Sequence, residues 1–315
     1  MYAELHCHSA YSFLDGASLP EELVAAAAQL GYRSLALTDH NGVYGSMEHA
    51  QAAKALGLQA IHGAEVDVVD AVSDAPRHLT LLVEDRRGWR NLCHLLTLAH
   101  AHTRPDASRR ILLPPQVPLE AVLLRAEGLV CLSGCARQGV RDEPTMRKLL
   151  TAFGPDHFRV ELQRPFARHD RALNRGLASL ARRLGVPAVA TGNVHAHARD
   201  RAPLQDAFVA IRSHATLDAS EPLRRGNHSH VMASPRAMAA RFADHPDAVR
   251  ETLRLAERLT FDLTSDLGYR YPGADDEEAD RKLAELCWSR FDERYPPGHR
   301  CRSAADARLN EELGP

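Results

Sequence analysis

The chain has 315 residues, 44% of them hydrophobic and 25% charged, with a formal net charge of −2. These are ordinary globular values, and they exclude a disordered or fibrous chain. No global basic field advertises nucleic-acid binding, although local patches stay open, and the length suits one large domain or one domain with an appendage.

The six cysteines form no CxxC pair and no regular spacing, so no disulfide framework is expected. The N-terminus lacks a basic segment followed by an apolar core, and no apolar run approaches the roughly 20 residues that span a bilayer. No membrane association is expected, and a reducing cytoplasm is the expected compartment.

In chain order, Tyr2–Leu5 reads as a short strand with His6 and His8 at its end. Residues two apart on an extended chain point to the same side, so both imidazoles can face one point. Neutral imidazole is the commonest side-chain metal ligand. Asp15, before Gly16 in a turn, can return a carboxylate to the same place. A lone His-x-His pair is more often solvated than ligating, so its weight depends on ligand-type residues elsewhere in the chain.

Ser18 can cap a helix over Pro20–Leu30 that stops at Gly31. Ser34–Thr38 is a strand leading into Asp39-His40-Asn41-Gly42, and Tyr44–Leu56 is helical. Gln59–Val69 is mostly strand and carries Glu65, and Leu79–Val83 is a buried strand with His78 at its edge. Trp89–Ala101 has helical spacing, Thr103–Pro118 reads as a loop, and Leu119–Ala126 as a short helix. Leu129–Leu132 is a strand running into Ser133-Gly134-Cys135. Phe158–Leu162 is a strand, His169–Leu184 a helix, and Pro187–Thr191 a strand running into Gly192-Asn193-Val194-His195.

About seven strands separated by helices predict a parallel sheet. No glycine-rich dinucleotide loop follows the first strand, so a closed α/β barrel fits better than an open doubly wound sheet. After His195 the pattern turns helical: Ala202–Arg212, Ser234–Phe242, Pro246–Leu259 capped by Asp244 or His245, and Ala279–Tyr295 after an acidic exposed link at Asp275–Glu278.

In parallel α/β barrels the functional residues sit where strands end. His6, His8, His40, Glu65, His78, Cys135, Asn193 and His195 all fall on or beside strand ends. Each alone has a bland reading as a core histidine, a buried thiol or an Arg-paired acid. Jointly they predict one metal-binding rim, and the mixed set suits Zn²⁺, Mn²⁺ or Fe²⁺ more than Mg²⁺.

The segments ELHCHSAYSFLDG, ALTDHNGVYG, GAEV, HLTLLVED, LSGC and ATGNVHAH resemble, in order and spacing, the polymerase and histidinol phosphatase (PHP) domain. The resemblance implies a distorted seven-stranded α/β barrel of PHP type, followed here by a helical segment. It also implies divalent metals, Zn or Mn and up to three, with Glu65 as bridging carboxylate. His6, His8 and Asn193 would serve one metal; Asp15, His40 and His195 a second; His78 and Cys135 a third. Many active members carry Asp where this chain has Asn193, and a neutral amide is the poorer ligand.

GWRNLCHLLTLAH, LQDAFVAI and VMASPRAMAARFADHPDAVRETLRLAER resemble segments of bacterial replicative-type DNA polymerases, most closely the error-prone branch related to the alpha subunit of DNA polymerase III. The resemblance implies a PHP barrel over residues 1–200, a helical extension packing on it over 201–270, and the start of a polymerase body over 271–315. It further implies that the palm lies beyond Pro315, so the fragment adds no nucleotides. Asp262 and Asp266 read as a helix-end turn, not a catalytic dyad. The implied partners are the rest of the polymerase chain, DNA through it, and DNA-repair proteins. The competing reading is a free-standing metal-dependent phosphoesterase or 3′–5′ exonuclease, and a weaker one a metal-free binding module.

Overall fold

The structure, a computed structural model, describes residues 1–70, 73–104, 113–225, 229–265 and 276–313. Its elements in chain order are α1 (Pro20–Gln29), β1 (Ser34–Leu37), α2 (Ser46–Ala55), β2 (Gln59–Asp70), β3 (Ser73–Val83), α3 (Arg86–His100), β4 (Val117–Pro118), α4 (Leu119–Leu123), β5 (Leu129–Leu132), α5 (Glu143–Phe153), β6 (Phe158–Gln163), α6 (Asp170–Leu184), β7 (Ala188–Thr191), α7 (Ala202–Arg212), α8 (Pro235–Arg241), α9 (Pro246–Arg258), α10 (Asp276–Arg294) and α11 (Arg302–Leu313). No helix among the described residues is long and apolar enough to cross a membrane. All six cysteines are free.

Local chemistry explains most boundaries. The Asp85 side chain accepts from Gly88 N at 2.8 Å and opens α3, which buries Leu92, Leu95, Leu96 and Ala99. Asp142 does the same for α5 through Thr145 N at 2.9 Å, with Pro144 in the first turn. This helix is absent from the elements expected above, although Asp142-Glu143-Pro144 carries its start signal. Ser18 does not cap α1; its hydroxyl binds His197 instead, and Glu22 accepts from Leu19 N at 2.9 Å. Neither Asp244 nor His245 caps α9 by side chain, because Asp244 is held in two hydrogen bonds by Arg164. Residues 276–278 of the expected acidic link are the first turn of α10; Asp275, Asp266 and positions 105–112 of the expected loop lie outside the described residues.

The main sheet runs β1-β2-β3-β5-β6-β7, with β4 beside β2. β1 pairs parallel with β2, and β5, β6 and β7 are parallel neighbours. β3 is antiparallel to both β2 and β5, which corrects the expectation of a wholly parallel sheet. The reason is the connection: β2 ends at Asp70 and β3 starts at Ser73. A parallel crossover needs about a dozen residues or more, so only a hairpin is possible there.

The expected strand at Tyr2–Leu5 is instead an irregular segment with isolated bridges, Glu4 to Leu35 and Cys7 to Val194. Ala36 N donates to Glu4 O at 2.9 Å, His8 N to Val194 O at 2.8 Å and Val194 N to His6 O at 3.0 Å. β1 and β7 are the two ends of the curled sheet, and residues 4–8 span between them. The Glu4 carboxylate supports the closure, accepting from Gly192 N at 2.9 Å, His6 N at 3.0 Å and the Tyr2 hydroxyl at 2.8 Å.

The interior changes character along its axis. Ala3, Leu5, Ala36, Ile61, Leu82, Val130, Leu132 and Val189 form one buried cluster with Leu255 and Leu259 at the end of α9. Two and four residues further along the same strand faces stand Glu65 on β2, Thr80 and His78 on β3, and Thr191 on β7. One end of the barrel is therefore an apolar core stoppered by α9, and the other is a polar rim.

Contacts divide the chain into two compact units, Met1–Leu267 and Gly268–Pro315. The first holds the barrel with α7, α8 and α9. Within the second, Phe291 is buried beneath the Arg302 guanidinium at 4.7 Å, whereas Leu283 and Leu286 are exposed.

Arg159 on β6 and Glu251 on α9 form a buried ion pair, Nε to Oε1 at 2.7 Å. Removing one partner strands a charge that cannot reach water. Glu251→Ala is expected to cost about 3 kcal/mol in denaturant unfolding, and Arg159→Met/Glu251→Leu to recover most of it. A single variant as stable as the parent would show that α9 is not secured this way.

Candidate metal centre

The rim is built from several chain segments around Glu65, which is 1% exposed. Its Oε1 lies 2.7 Å from His40 Nδ1 and 2.8 Å from His78 Nδ1, and its Oε2 lies 3.0 Å from His6 Nε2. The hairpin register delivers His78: Asp67 sits opposite His78 and Glu65 opposite Thr80. His78 Nε2 is 3.0 Å from Asp67 Oδ1, and its Nδ1 is 3.3 Å from Cys135 Sγ.

Each imidazole is held by a partner on its far side. His6 Nδ1 is 2.7 Å from Glu161 Oε1, leaving Nε2 toward Glu65. His8 Nδ1 is 3.2 Å from Ser12 Oγ, whose own hydroxyl donates to Asp39. His195 Nδ1 is 2.9 Å from the Asn193 carbonyl. Such partners fix ring orientation and tautomer. The loop between His8 and Gly16 is pinned by Asp39, which accepts from Ser9 N at 2.6 Å and Ser9 Oγ at 2.7 Å. Gly16 is required there, since a Cβ would lie 1.8 Å from Ser9 O. Gly134, at φ +93°, brings Cys135 in beside the backbone of His78, where a Cβ would meet His78 O at 1.9 Å.

Asp15 enters from this loop. Its Oδ2 is 2.9 Å from His40 Nε2, 3.2 Å from His195 Nε2 and 2.6 Å from Arg225 Nη2. His40 thus lies between two carboxylates and stacks on His8 at 4.2 Å. Asn193 stands at φ 49°, its Nδ2 donating to Gln163 Oε1 at 3.3 Å.

All nine residues expected at the site therefore meet at one rim. Three groups bring ligand atoms within 4.8 Å of one another: His6, His8 and Glu65; His8, His40 and His195; Glu65, His78 and Cys135. Sequence reasoning missed Asp67, Glu161, Gln163 and Arg225. Asp67 had a signal, being two residues from Glu65 on one strand face. Glu161 had one too, as a lone acid in a strand buried along its whole length. Arg225 had none, because it lies thirty residues beyond His195 in a segment without pattern.

The donor chemistry fits divalent metal. His6 Nε2 and His8 Nε2 face each other at 3.0 Å, and neither Glu65 oxygen completes a hydrogen bond of good geometry. Lone pairs converging on one point, with little hydrogen between them, are what a cation satisfies. The pKa shifts describe the same convergence. Burial opposes charge on His6, yet Glu161 and Glu65 raise its pKa well above the ordinary value. At His40, which is half-buried, the same desolvation is outweighed and the pKa is pushed up to about 9 by Glu65 and Asp15. Burial and the neighbouring rings His40 and His195 push His8 well down. For Glu65, burial is outweighed by His78 and His40, and its pKa falls well below the carboxylate range.

A family model described as PHP domain matches residues 4–165. An error-prone DNA polymerase from Symbiobacterium thermophilum is 33% identical over 314 residues, covering 93% of this chain and 28% of that protein. One from Anaeromyxobacter sp. (strain K) is 38% identical over 268 residues, 82% of this chain and 23% of that one. A third, from Mycolicibacterium paratuberculosis, is 35% identical over 336 residues, 99% and 30% respectively. The chain thus spans less than a third of the length of these relatives, and it matches their N-terminal part.

Metal bound to the native rim but not to the unfolded chain stabilises the fold by mass action. Chelation is expected to lower the melting temperature, Zn²⁺ or Mn²⁺ to restore it, and His8→Ala to blunt the recovery; identical melting with and without chelator would count against a loaded site. The chelated chain should also show a pH signature. His40 titrates near 9 when folded against 6.5 as the reference. A raised folded pKa contributes stability that is full below 6.5 and lost as pH rises through 9. The urea midpoint of the chelated chain is expected to fall across that window, and less so for His40→Gln.

Proposed function

This chain belongs to the PHP domain family, and we propose that it is the N-terminal module of an error-prone DNA polymerase, with a mainly structural barrel steadied by divalent metal. One observation carries the reading: segments after the barrel are built into it at both ends. At the rim, Gln205 of α7 donates to the Asp15 carbonyl at 3.1 Å. At the opposite end, α9 closes the apolar interior with Leu255 and Leu259. The relatives from Symbiobacterium thermophilum and Mycolicibacterium paratuberculosis match 93% and 99% of this chain, enough to take in both helices. A barrel whose two ends are both tied to downstream helices suits a platform for a larger body.

His6, His8 and Glu65 would hold one metal and Glu65, His78 and Cys135 another, with Asn193 as a weak neutral neighbour. A bound divalent cation would polarise a phosphoryl oxygen and lower the pKa of water. The residues themselves supply the rest: Glu161, Ser12 and the Asn193 carbonyl orient the rings, and Glu65 carries negative charge between them. On this reading nucleotidyl transfer belongs to the part of the polymerase beyond this chain. DNA and repair partners are reached through that part.

A second reading, a metal-dependent phosphoesterase or 3′–5′ exonuclease, is favoured by the cleft over the rim. This cleft of about 780 Å³ is lined by Arg137, Arg212 and Arg225 beside the histidines. Guanidinium groups suit phosphate oxygens. Phe13 and Tyr44, 82% and 61% exposed, stand in the same lining. Aromatic rings at such a mouth can stack unpaired bases.

The readings separate by hydrolysis. With Mn²⁺, the chain is expected to give little or no turnover of a chromogenic phosphodiester or a single-stranded oligonucleotide. Asn193→Asp, which adds an anionic ligand, is expected to raise turnover by about tenfold or more. Robust turnover by the unmodified chain, abolished by His6→Ala, would replace the structural reading with the hydrolase.

A further inference from the structure

The rim contains a cation of its own. Arg225 Nη2 lies 2.6 Å from Asp15 Oδ2 and 2.6 Å from His195 Nε2. His195 Nδ1 faces the Asn193 carbonyl at 2.9 Å and donates its hydrogen there. Nε2 is then a bare acceptor, and the guanidinium hydrogen points at the lone pair a metal would use. His40 Nε2 reaches the same Asp15 oxygen at 2.9 Å. Arg225 therefore stands among the three groups, Asp15, His40 and His195, expected to serve one metal.

Two further contacts belong to the same arrangement. Arg212 Nη1 stands 3.6 Å from the other Asp15 oxygen, so one carboxylate faces two guanidinium groups. Arg224, the residue before, is tied to Asp206 of α7 at 3.4 Å and to the Leu217 carbonyl at 3.0 Å. Five residues on, His230 and Val231 pair with the backbone of 195 and 196. The arginine is thus carried by a segment anchored on either side of it, and its side chain is 13% exposed.

Glu65 differs. Among the described residues its ion pairs are with His6, His40 and His78 only. A guanidinium and a divalent ion within hydrogen-bond distance of the same oxygen repel strongly in a buried site, so the two exclude each other.

We propose that Arg225 takes the place of one metal ion, so that this chain loads divalent cations around Glu65 but not between Asp15 and His195. The proposal rests on the reading of the rim as a metal centre. It explains why the three cation positions that the family resemblance implies reduce to at most two, with the third charge supplied covalently by the chain. Arginine cannot ionise water as a metal does, so the exchange keeps the electrostatic support and removes Lewis acidity from that position.

The test is metal stoichiometry, with the 315-residue chain loaded with Mn²⁺, freed of excess by gel filtration and assayed for metal per chain. Arg225→Gln is expected to bind one equivalent more than the parent. Equal, non-zero stoichiometry in the two would overturn the Arg225 assignment while leaving the metal reading standing. No metal in either would sink both. Should Arg225→Gln fail to fold, anomalous scattering from Mn²⁺-loaded parent crystals decides. A peak beside Glu65, with guanidinium density between Asp15 and His195, is expected. A metal peak at that second place, with Arg225 displaced, would refute the proposal.

Discussion

The structure depends on how a buried carboxylate is kept charged. Glu65 sits inside the barrel with two oxygens facing three imidazoles. An ionised acid removed from water is tolerated only when opposite charge or metal stands close. That demand reaches outward. Each ring near Glu65 must be aimed, so each has a partner behind it, and those partners come from different strands and loops. Replacing any of them would loosen a ring whose position other rings share.

The backbone answers this demand in two irregular places. β3 runs against both its neighbours, and that reversal sets His78 opposite Asp67 and Thr80 opposite Glu65. The first eight residues never become a regular strand, yet they close the sheet between Leu35 and Val194. Their bends let His6 and His8 converge with their Nε2 atoms 3.0 Å apart. Local irregularity here accompanies function, since a site is where local rules are most often broken.

Barrel and helices also divide the interior between them. Along each strand the inward positions pass from aliphatic to polar, and α9 covers the aliphatic end. The polar end is left to the cleft, where helix α7 and the Arg225 segment reach in over Asp15. The apolar interior thus lies at one end of the barrel and the ligand-type side chains at the other. On the proposed reading, that separation lets the rim carry Asn193 and Arg225 without disturbing the core.

Much of the fold and the site was legible in the chain itself. Helices with caps and apolar faces, such as α3 and α6, declare themselves because their signals are local. The nine rim residues were found because ligand-type side chains recur at strand ends, and because their motifs keep a familiar order. Asp67 and Glu161 were readable in principle, one from its period-two relation to Glu65 and one as a charge in a buried strand. The antiparallel hairpin was readable too, from the short connection between β2 and β3. Arg225 is different in kind. Its role arises from a segment folding back thirty residues after the last ligand, and no local pattern encodes such a return. Sequence determined which side chains could bind a cation, since that is a matter of donor chemistry. Only the tertiary structure decided which of those donors already hold one, because occupancy is set by which charges meet in space.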